Sequence, residues 1–147
     1  MQPSRRRLVL GAGATIGTTL IGAPARACDF ALPHLRVVHP WTRATRATAG
    51  ATVLCTRFED VTEADRLIGV VTPVATGFEI VDASGRSART LDIPEGRDTA
   101  LGEEGLRLRL TGLTQGLMIA RTYPLTFVFE RGGELIAALN VDYLPVG

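Results

Sequence analysis

Short runs in which apolar and polar residues alternate recur along most of the chain. The clearest is Glu104–Leu113, in which leucines at every second position are separated by Arg107, Arg109 and Thr111. A period of two is typical of a β-strand with one buried face. The leucines of this run are therefore predicted to face a core, and the two guanidinium groups are predicted to lie side by side on the opposite face.

Similar runs predict further strands, and glycine, proline and acidic residues mark the turns between them. The predicted strands are Leu35–Val38, Gly50–Phe58, Arg66–Val71, Gly77–Val81, Leu106–Leu113, Tyr123–Glu130 and Glu134–Tyr143. About seven short strands with no convincing helix predict an all-β protein, a β-sandwich or Greek-key barrel. The side chains expected to be buried are those of Trp41, Leu108, Phe127 and Phe129.

The first 27 residues have the pattern of an export signal. Ser4–Leu10 resembles the twin-arginine motif, and an apolar run that ends at Gly22 follows it. That run is too short and too rich in glycine for a membrane-spanning helix, which needs about 20 apolar residues. Ala25-Arg26-Ala27 is a small-x-small site, so cleavage is predicted after Ala27 and the mature protein is predicted to be periplasmic.

The rest of the chain is predicted to be a short arm, residues 28–40, followed by one domain, residues 41–147. A chain of 147 residues with 46% apolar composition can bury the core of a single domain. All 16 basic residues are arginine, and four of them lie in the predicted export signal, which leaves 12 arginines against 15 acidic residues and a net charge of −3. No basic stripe with interleaved aromatic residues occurs, which argues against a nucleic-acid partner.

Cys28 and Cys55 are the only cysteines of the chain. An exported protein meets an oxidising compartment, so the interpretation we favour is a disulfide between them. The alternatives are a metal-binding thiol pair assisted by His34 and His39, a lipid anchor on Cys28, and two free thiols. The spacing of these residues matches no standard zinc site. A lipobox would need an aliphatic residue at the position of Ala25, which argues against the anchor.

Six short segments carry a resemblance to a known family. They are Val38–Ala44 with Trp-x-Arg-Ala, Asp65–Gly69 with Asp-x-Leu, Thr72–Ala75 with Thr-Pro-x-Ala, Ile93–Gly96 with Ile-Pro-x-Gly, the strand Gly105–Leu113, and Pro124–Glu130 with Pro-Leu-Thr. In this order they resemble the periplasmic copper chaperones called PCu(A)C. The resemblance implies a cupredoxin-like β-sandwich that handles copper or helps to assemble the copper site of cytochrome oxidase, and that is not an enzyme.

The same resemblance implies that the family's copper site is missing. Family members bind Cu(I) through histidine and methionine, which suit this soft ion. The first histidine of the family falls on Val81, its methionine loop on Asp82–Asp92, which contains no methionine, and its last histidine and methionine on Arg107 and Arg109. A guanidinium group has no lone pair to give to a metal. No metal is therefore expected at the family positions.

Two function hypotheses remain, and both involve a periplasmic protein partner. In the first, the protein handles copper through relocated ligands, for which Cys28, Cys55, His34 and His39 are the candidates. In the second, it is a metal-free binding module in which Arg107 and Arg109, roughly 6.5–7 Å apart along a strand, recognise an acidic protein segment or an anion. The plain alternative is that both arginines pair with nearby acids such as Glu103 or Glu104. The chain contains no Gly-x-Ser-x-Gly motif and no cysteine–histidine spacing typical of a nucleophile.

Overall fold

The protein is an all-β structure. A computed structural model describes residues 29–146, which form eleven strands and no helix. The strands are β1 (Asp29–Leu32), β2 (Leu35–Arg43), β3 (Ala51–Glu59), β4 (Asp65–Val71), β5 (Ala75–Val81), β6 (Ser87–Ala88), β7 (Leu91–Ile93), β8 (Thr99–Leu101), β9 (Arg107–Leu113), β10 (Thr122–Phe129) and β11 (Gly133–Tyr143). The predicted fold class is confirmed, and each predicted strand corresponds to an observed one.

The strands follow one hydrogen-bonded path. Its order is β6-β5-β9-β3-β2-β11-β10-β4-β7, with β1 paired to β2 and β8 paired to β3. All pairs are antiparallel except β2 with β11. The first half of β3 pairs with β9 and the second half with β8, so β3 joins the two layers. An isolated bridge between Thr72 and Ala75 forms the tight turn that joins the end of β4 to the start of β5.

The core lies between the layers and is dominated by three aromatic rings. Phe58 meets Phe127 and Phe129 edge to face, with ring centroids 6.1 and 5.9 Å apart. Leu108 and Leu110 of β9 are completely buried beside them, whereas Arg107 and Arg109 lie on the outer face. The alternation expected of this strand and the burial of Leu108, Phe127 and Phe129 are therefore confirmed.

Trp41 was expected in the core and is instead half-buried on the outer face of β2, where its ring meets the Tyr143 ring edge to face at 4.8 Å. The reason is a bulge in β2. The pairing with β3 shifts between Val38 and Trp41, and His39 within the bulge has a φ of 42°. The one extra residue of β2 reverses the alternation of faces, so Thr42 takes the inward position that a regular strand would give to Trp41.

Residues 29–40, expected to be an arm, form β1 and the first part of β2, and Leu35 and Val37 are buried in the core. The predicted export signal, its cleavage after Ala27 and the side chain of Cys28 lie outside the described residues. Within residues 29–146 there is no helix of the length and apolarity that crossing a membrane requires.

Candidate functional site

The two arginines that the sequence places side by side lie on the outer face of β9. Register pairs Arg107 with Val81 and Arg109 with Glu79, both on β5. On its other side Arg109 lies next to Val53 of β3. We call the outward surface formed by Arg107, Arg109, Glu79 and Val81 the arginine face.

Arg109 is held by an acidic neighbour. Its guanidinium donates to Glu79, which also accepts a 2.8 Å hydrogen bond from the Ser87 hydroxyl. The hydrogen bond from Ser87 and the positive charge of Arg109 lower the pKa of Glu79, although desolvation opposes them. Arg109 is thus paired with an acid on the adjacent strand. Glu103, one of the acids proposed as a partner, binds Arg43 instead.

Arg107 is in a different situation. Its Nε is enclosed and has no hydrogen-bond partner, and within residues 29–146 no acidic side chain lies within ion-pair distance of this guanidinium. The Arg107 residue as a whole is half-buried. A partly buried cation without a counter-ion is unfavourable because burial weakens its hydration. The arginine face therefore contains one neutralised and one uncompensated positive charge.

The arginine face presents hydrocarbon and guanidinium groups. Val81 is a hydrocarbon side chain with only 8% of its surface exposed, and the two guanidinium groups present hydrogens rather than lone pairs. Across the described part of the chain, no group of three or more histidine, cysteine or acidic side chains is arranged to hold a metal ion.

Comparison with known proteins places this structure. Residues 35–141 match the family model described as "Putative lipoprotein LpqE-like". The chain belongs to the LpqE-like family. No match was found among curated proteins.

Solved structures extend the comparison to the fold. The copper-bound PCuAC domain from PmoF2 is 21% identical and superposes with a TM-score of 0.72, over 78% of this chain and 97% of that one. The apo PCuAC domain from PmoF1 is 22% identical and superposes with a TM-score of 0.71, over 78% of this chain and 98% of that one. CuI-DR1885 from Deinococcus radiodurans is 23% identical and superposes with a TM-score of 0.58, over 69% of this chain and 76% of that one. The LpqE-like chain thus has the PCuAC fold, which confirms the resemblance drawn from its motifs.

The two histidines of the LpqE-like chain lie in separate places. His34 donates a 2.7 Å hydrogen bond to Asp65, whose carboxylate is completely buried. His39 donates a 2.6 Å hydrogen bond to Asp142 on the outer surface. Of the three described side chains considered as relocated metal ligands, His34 is therefore bound in a carboxylate network away from His39 and Cys55.

His39 and Cys55 line one open hollow of about 370 Å³ on the outer face, together with Trp41. Cys55 is only 3% exposed. Burial raises the pKa of its thiol to about 11, Glu103 adds to the rise, and Arg43 opposes it. Cys55 is a free thiol within the described residues, and Cys28 lies outside them, so the predicted disulfide stays a prediction.

Sequence reasoning missed the groups that distinguish Arg107 from Arg109. Glu79 and Ser87 lie far from β9 in the chain, and only the register of β5 and β6 brings them to Arg109. It also missed the role of Arg43, which binds Glu103, donates to the Leu144 carbonyl at 3.1 Å and lies over the Tyr143 ring. The one available hint for Arg43 was its position inside the Trp-x-Arg-Ala motif.

Proposed function

We propose that this LpqE-like protein is an exported binding protein, not an enzyme, in which the arginine face recognises a carboxylate of an acidic protein segment. The uncompensated guanidinium of Arg107 carries this proposal. A bound carboxylate would supply the counter-ion that Arg107 lacks, and a charge-assisted hydrogen bond of this kind is stronger than one between neutral groups.

Arg107 is assigned the main contact and Arg109 a supporting one. Part of the Arg109 guanidinium is bound to Glu79, and 42% of the Arg109 side-chain surface remains exposed. Its remaining donors are therefore available to a second carboxylate of the same segment. Arg107 lies beside the aliphatic Val81 of β5, which offers it no hydrogen-bond acceptor in its side chain.

The same residues support loss of the family's copper site. Positions that carry histidine and methionine in the family are occupied here by one aliphatic and two cationic side chains. Copper as cargo remains the second candidate function because His39 and Cys55 share one hollow. Cu(I) would have to displace the proton of a thiol whose pKa is about 11, which weakens binding at neutral pH.

The proposed address is the periplasm, reached by the predicted export signal with cleavage after Ala27. The family description contains the word lipoprotein, which favours an exported protein and keeps a lipid anchor on Cys28 as the alternative to the disulfide. The mass of the exported protein distinguishes the two, since acylation adds hundreds of daltons and a disulfide removes two hydrogens.

A titration with a short polyglutamate peptide tests the arginine face. We expect Arg107→Gln to weaken binding roughly tenfold, and Arg109→Gln to weaken it less, because a charge-assisted contact is worth about 1.5–3 kcal/mol when it is well formed. Added salt should weaken binding by the wild type. Arg97→Gln, which removes an exposed arginine between β7 and β8, is the matched control and should bind as the wild type does.

A second titration of Cu(I) against a competing chelator separates the two candidate functions. A peptide affinity that neither added salt nor Arg107→Gln changes would contradict the arginine-face proposal. Tight Cu(I) binding that Val81→Ala or the arginine variants abolish would contradict loss of the family site. Tight Cu(I) binding that only His39→Ala or Cys55→Ala abolishes would instead favour the copper-handling candidate.

A further inference from the structure

Exposed apolar side chains collect at one end of the molecule. In the described residues, five of the eight large hydrophobic side chains that are exposed lie in two short segments. These five, which we call the apolar end, are Met118 (56% exposed), Ile119 (44%), Tyr143 (50%), Leu144 (66%) and Val146 (77%). Contiguous exposed apolar surface of this kind marks a site of interaction.

Backbone hydrogen bonds hold the segments of the apolar end together. Ala44 N–H donates to the Tyr143 carbonyl at 2.7 Å, and Ala120 N–H donates to the Val141 carbonyl at 2.8 Å. Leu117 is buried in a small second core with Val141. Because the neighbouring backbone is fixed in this way, Met118 and Ile119 are presented outward by an anchored loop.

Two exposed arginines without an acidic partner lie in the segments around the apolar end. The segments 44–50, 114–122 and 143–146 contain no acidic residue, but they contain Arg46 and Arg121. Both arginines are exposed, and neither has an acidic partner within residues 29–146. The acids nearby are Asp142, which binds His39, Glu103, which is bound by Arg43, and Glu104, which lines the same groove as Arg46.

The direction of the chain points to the same end. In the antiparallel pairing of β1 with β2, Asp29 lies opposite Val38 and Leu32 lies opposite Leu35. Asp29 is therefore at the end of β1 that is nearer to Arg43. This first described residue thus lies at the end of β1 that faces the apolar end.

We propose that the apolar end docks on an anionic phospholipid surface. Met118, Ile119, Leu144 and Val146 would enter the boundary between headgroups and acyl chains, Tyr143 would lie at headgroup level, and Arg46 and Arg121 would contact lipid phosphates. This inference does not depend on the arginine face.

A second copy of the chain fits this end less well. In a two-fold contact the same patch faces itself, and the segments that form it contain no acid to compensate Arg46 and Arg121. An anionic bilayer supplies both an apolar layer and the negative charge.

Sedimentation with lipid vesicles tests the proposal. The protein is a chain that begins at Asp29, which carries no lipid and retains both core clusters, all of whose members lie within residues 29–146. Vesicles of phosphatidylglycerol and phosphatidylethanolamine are compared with vesicles of phosphatidylcholine alone. We expect binding to the anionic vesicles, weakened roughly tenfold by Met118→Ser/Ile119→Ser and several-fold by Arg46→Gln/Arg121→Gln or by salt.

Val71→Thr/Ile136→Thr is the matched control, because Val71 (62% exposed) and Ile136 (78%) are equally open but lie on the face of β4 and β11. This variant should bind like the wild type. Absence of binding to anionic vesicles, or equal loss in the control, would overturn the proposal. So would self-association that Met118→Ser/Ile119→Ser abolishes in a protein that ignores vesicles, since the end would then be a contact between copies.

Discussion

Asp65 joins three separate parts of the chain through one buried carboxylate. Its Oδ1 accepts hydrogen bonds from the N–H groups of Arg66 and Arg131, and its Oδ2 accepts from Gly132 N–H and His34 Nε2. Burial alone would raise the pKa of Asp65, but the hydrogen bonds from Arg131, His34, Arg66 and Gly132 outweigh it and lower the pKa. The residue therefore ties the β10–β11 hairpin and the β1–β2 turn to the start of β4.

We predict that Asp65→Asn lowers the free energy of unfolding by about 2–3 kcal/mol at neutral pH, because the amide NH₂ faces backbone donors that the carboxylate accepted. Since the folded pKa lies below the unfolded value, the wild-type stabilisation is present above pH ~4 and is lost as the pH falls through the folded pKa. Urea unfolding between pH 3 and 7 should show this acid-side loss in the wild type and a smaller one in the variant.

Asp82→Asn is the control for this measurement. Asp82 is half-buried, and one of its carboxylate oxygens accepts from the Ser84 and Arg86 N–H groups, a role that an amide oxygen can also fill. We expect a change of about 0.5 kcal/mol or less. Equal losses in both variants would mean that Asp65 is no more important than a surface turn residue.

At the scale of elements, β9 depends on a glycine where it leaves the sheet. Gly112 has a φ of 62°, and a Cβ at this position would overlap the hydroxyl oxygen of Thr76 on β5. Thr76 and Gly112 lie opposite each other between two residue pairs of β5 and β9, Ala75 with Leu113 and Gly77 with Thr111. Close approach and the left-handed backbone both require glycine here.

We predict that Gly112→Ala lowers the free energy of unfolding by about 2–4 kcal/mol, which combines left-handed strain with an overlap. Gly105→Ala isolates the first contribution, because Gly105 has a φ of 70° and nothing lies within 4 Å of its added Cβ. The free energy of unfolding of Gly105→Ala should be lower than that of the wild type by about 1–2 kcal/mol. Adding Thr76→Ala to Gly112→Ala should recover part of the difference in thermal unfolding, and failure to recover any would rule out the overlap.

At the scale of the whole molecule, the predicted disulfide has to pass over β2. Asp29 pairs with one side of β2 at Val38, and Arg57 of β3 pairs with Val38 from the other side. Because β1 and β3 flank β2, they are separated by two strand spacings, about 9.6 Å. Cys55 lies two residues from Arg57 along β3. A disulfide needs Cα atoms less than about 7 Å apart, so residue 28 would have to leave the line of β1 and cross the outer face.

We predict that the exported protein contains the Cys28–Cys55 disulfide and loses about 3–4 kcal/mol of stability on reduction. Because the pKa of the Cys55 thiol is about 11, a free Cys55 would react slowly in the folded protein, and alkylation has to be carried out after denaturation. A mass lower by two hydrogens and no alkylation without reductant are expected. Two alkylated thiols, or an acylated Cys28, would refute the bond.

The fold class and the inward faces of the main strands followed from the sequence. Alternation with period two is a local property, so Leu108, Leu110, Phe127 and Phe129 could be assigned to the core without knowing their neighbours. Trp41 could not, because the bulge at His39 that reverses the alternation arises from the pairing of β2 with β3.

The arginine face shows the same division. Arg107 and Arg109 are equivalent in a pattern of alternating residues, and their common outward direction was correctly predicted from it. Their difference in charge pairing comes from β5, which is distant in sequence and whose register sets Glu79 beside Arg109 and Val81 beside Arg107. Direction along a strand is encoded within the strand, whereas the partner of each side chain depends on which strand folds against it and in which register.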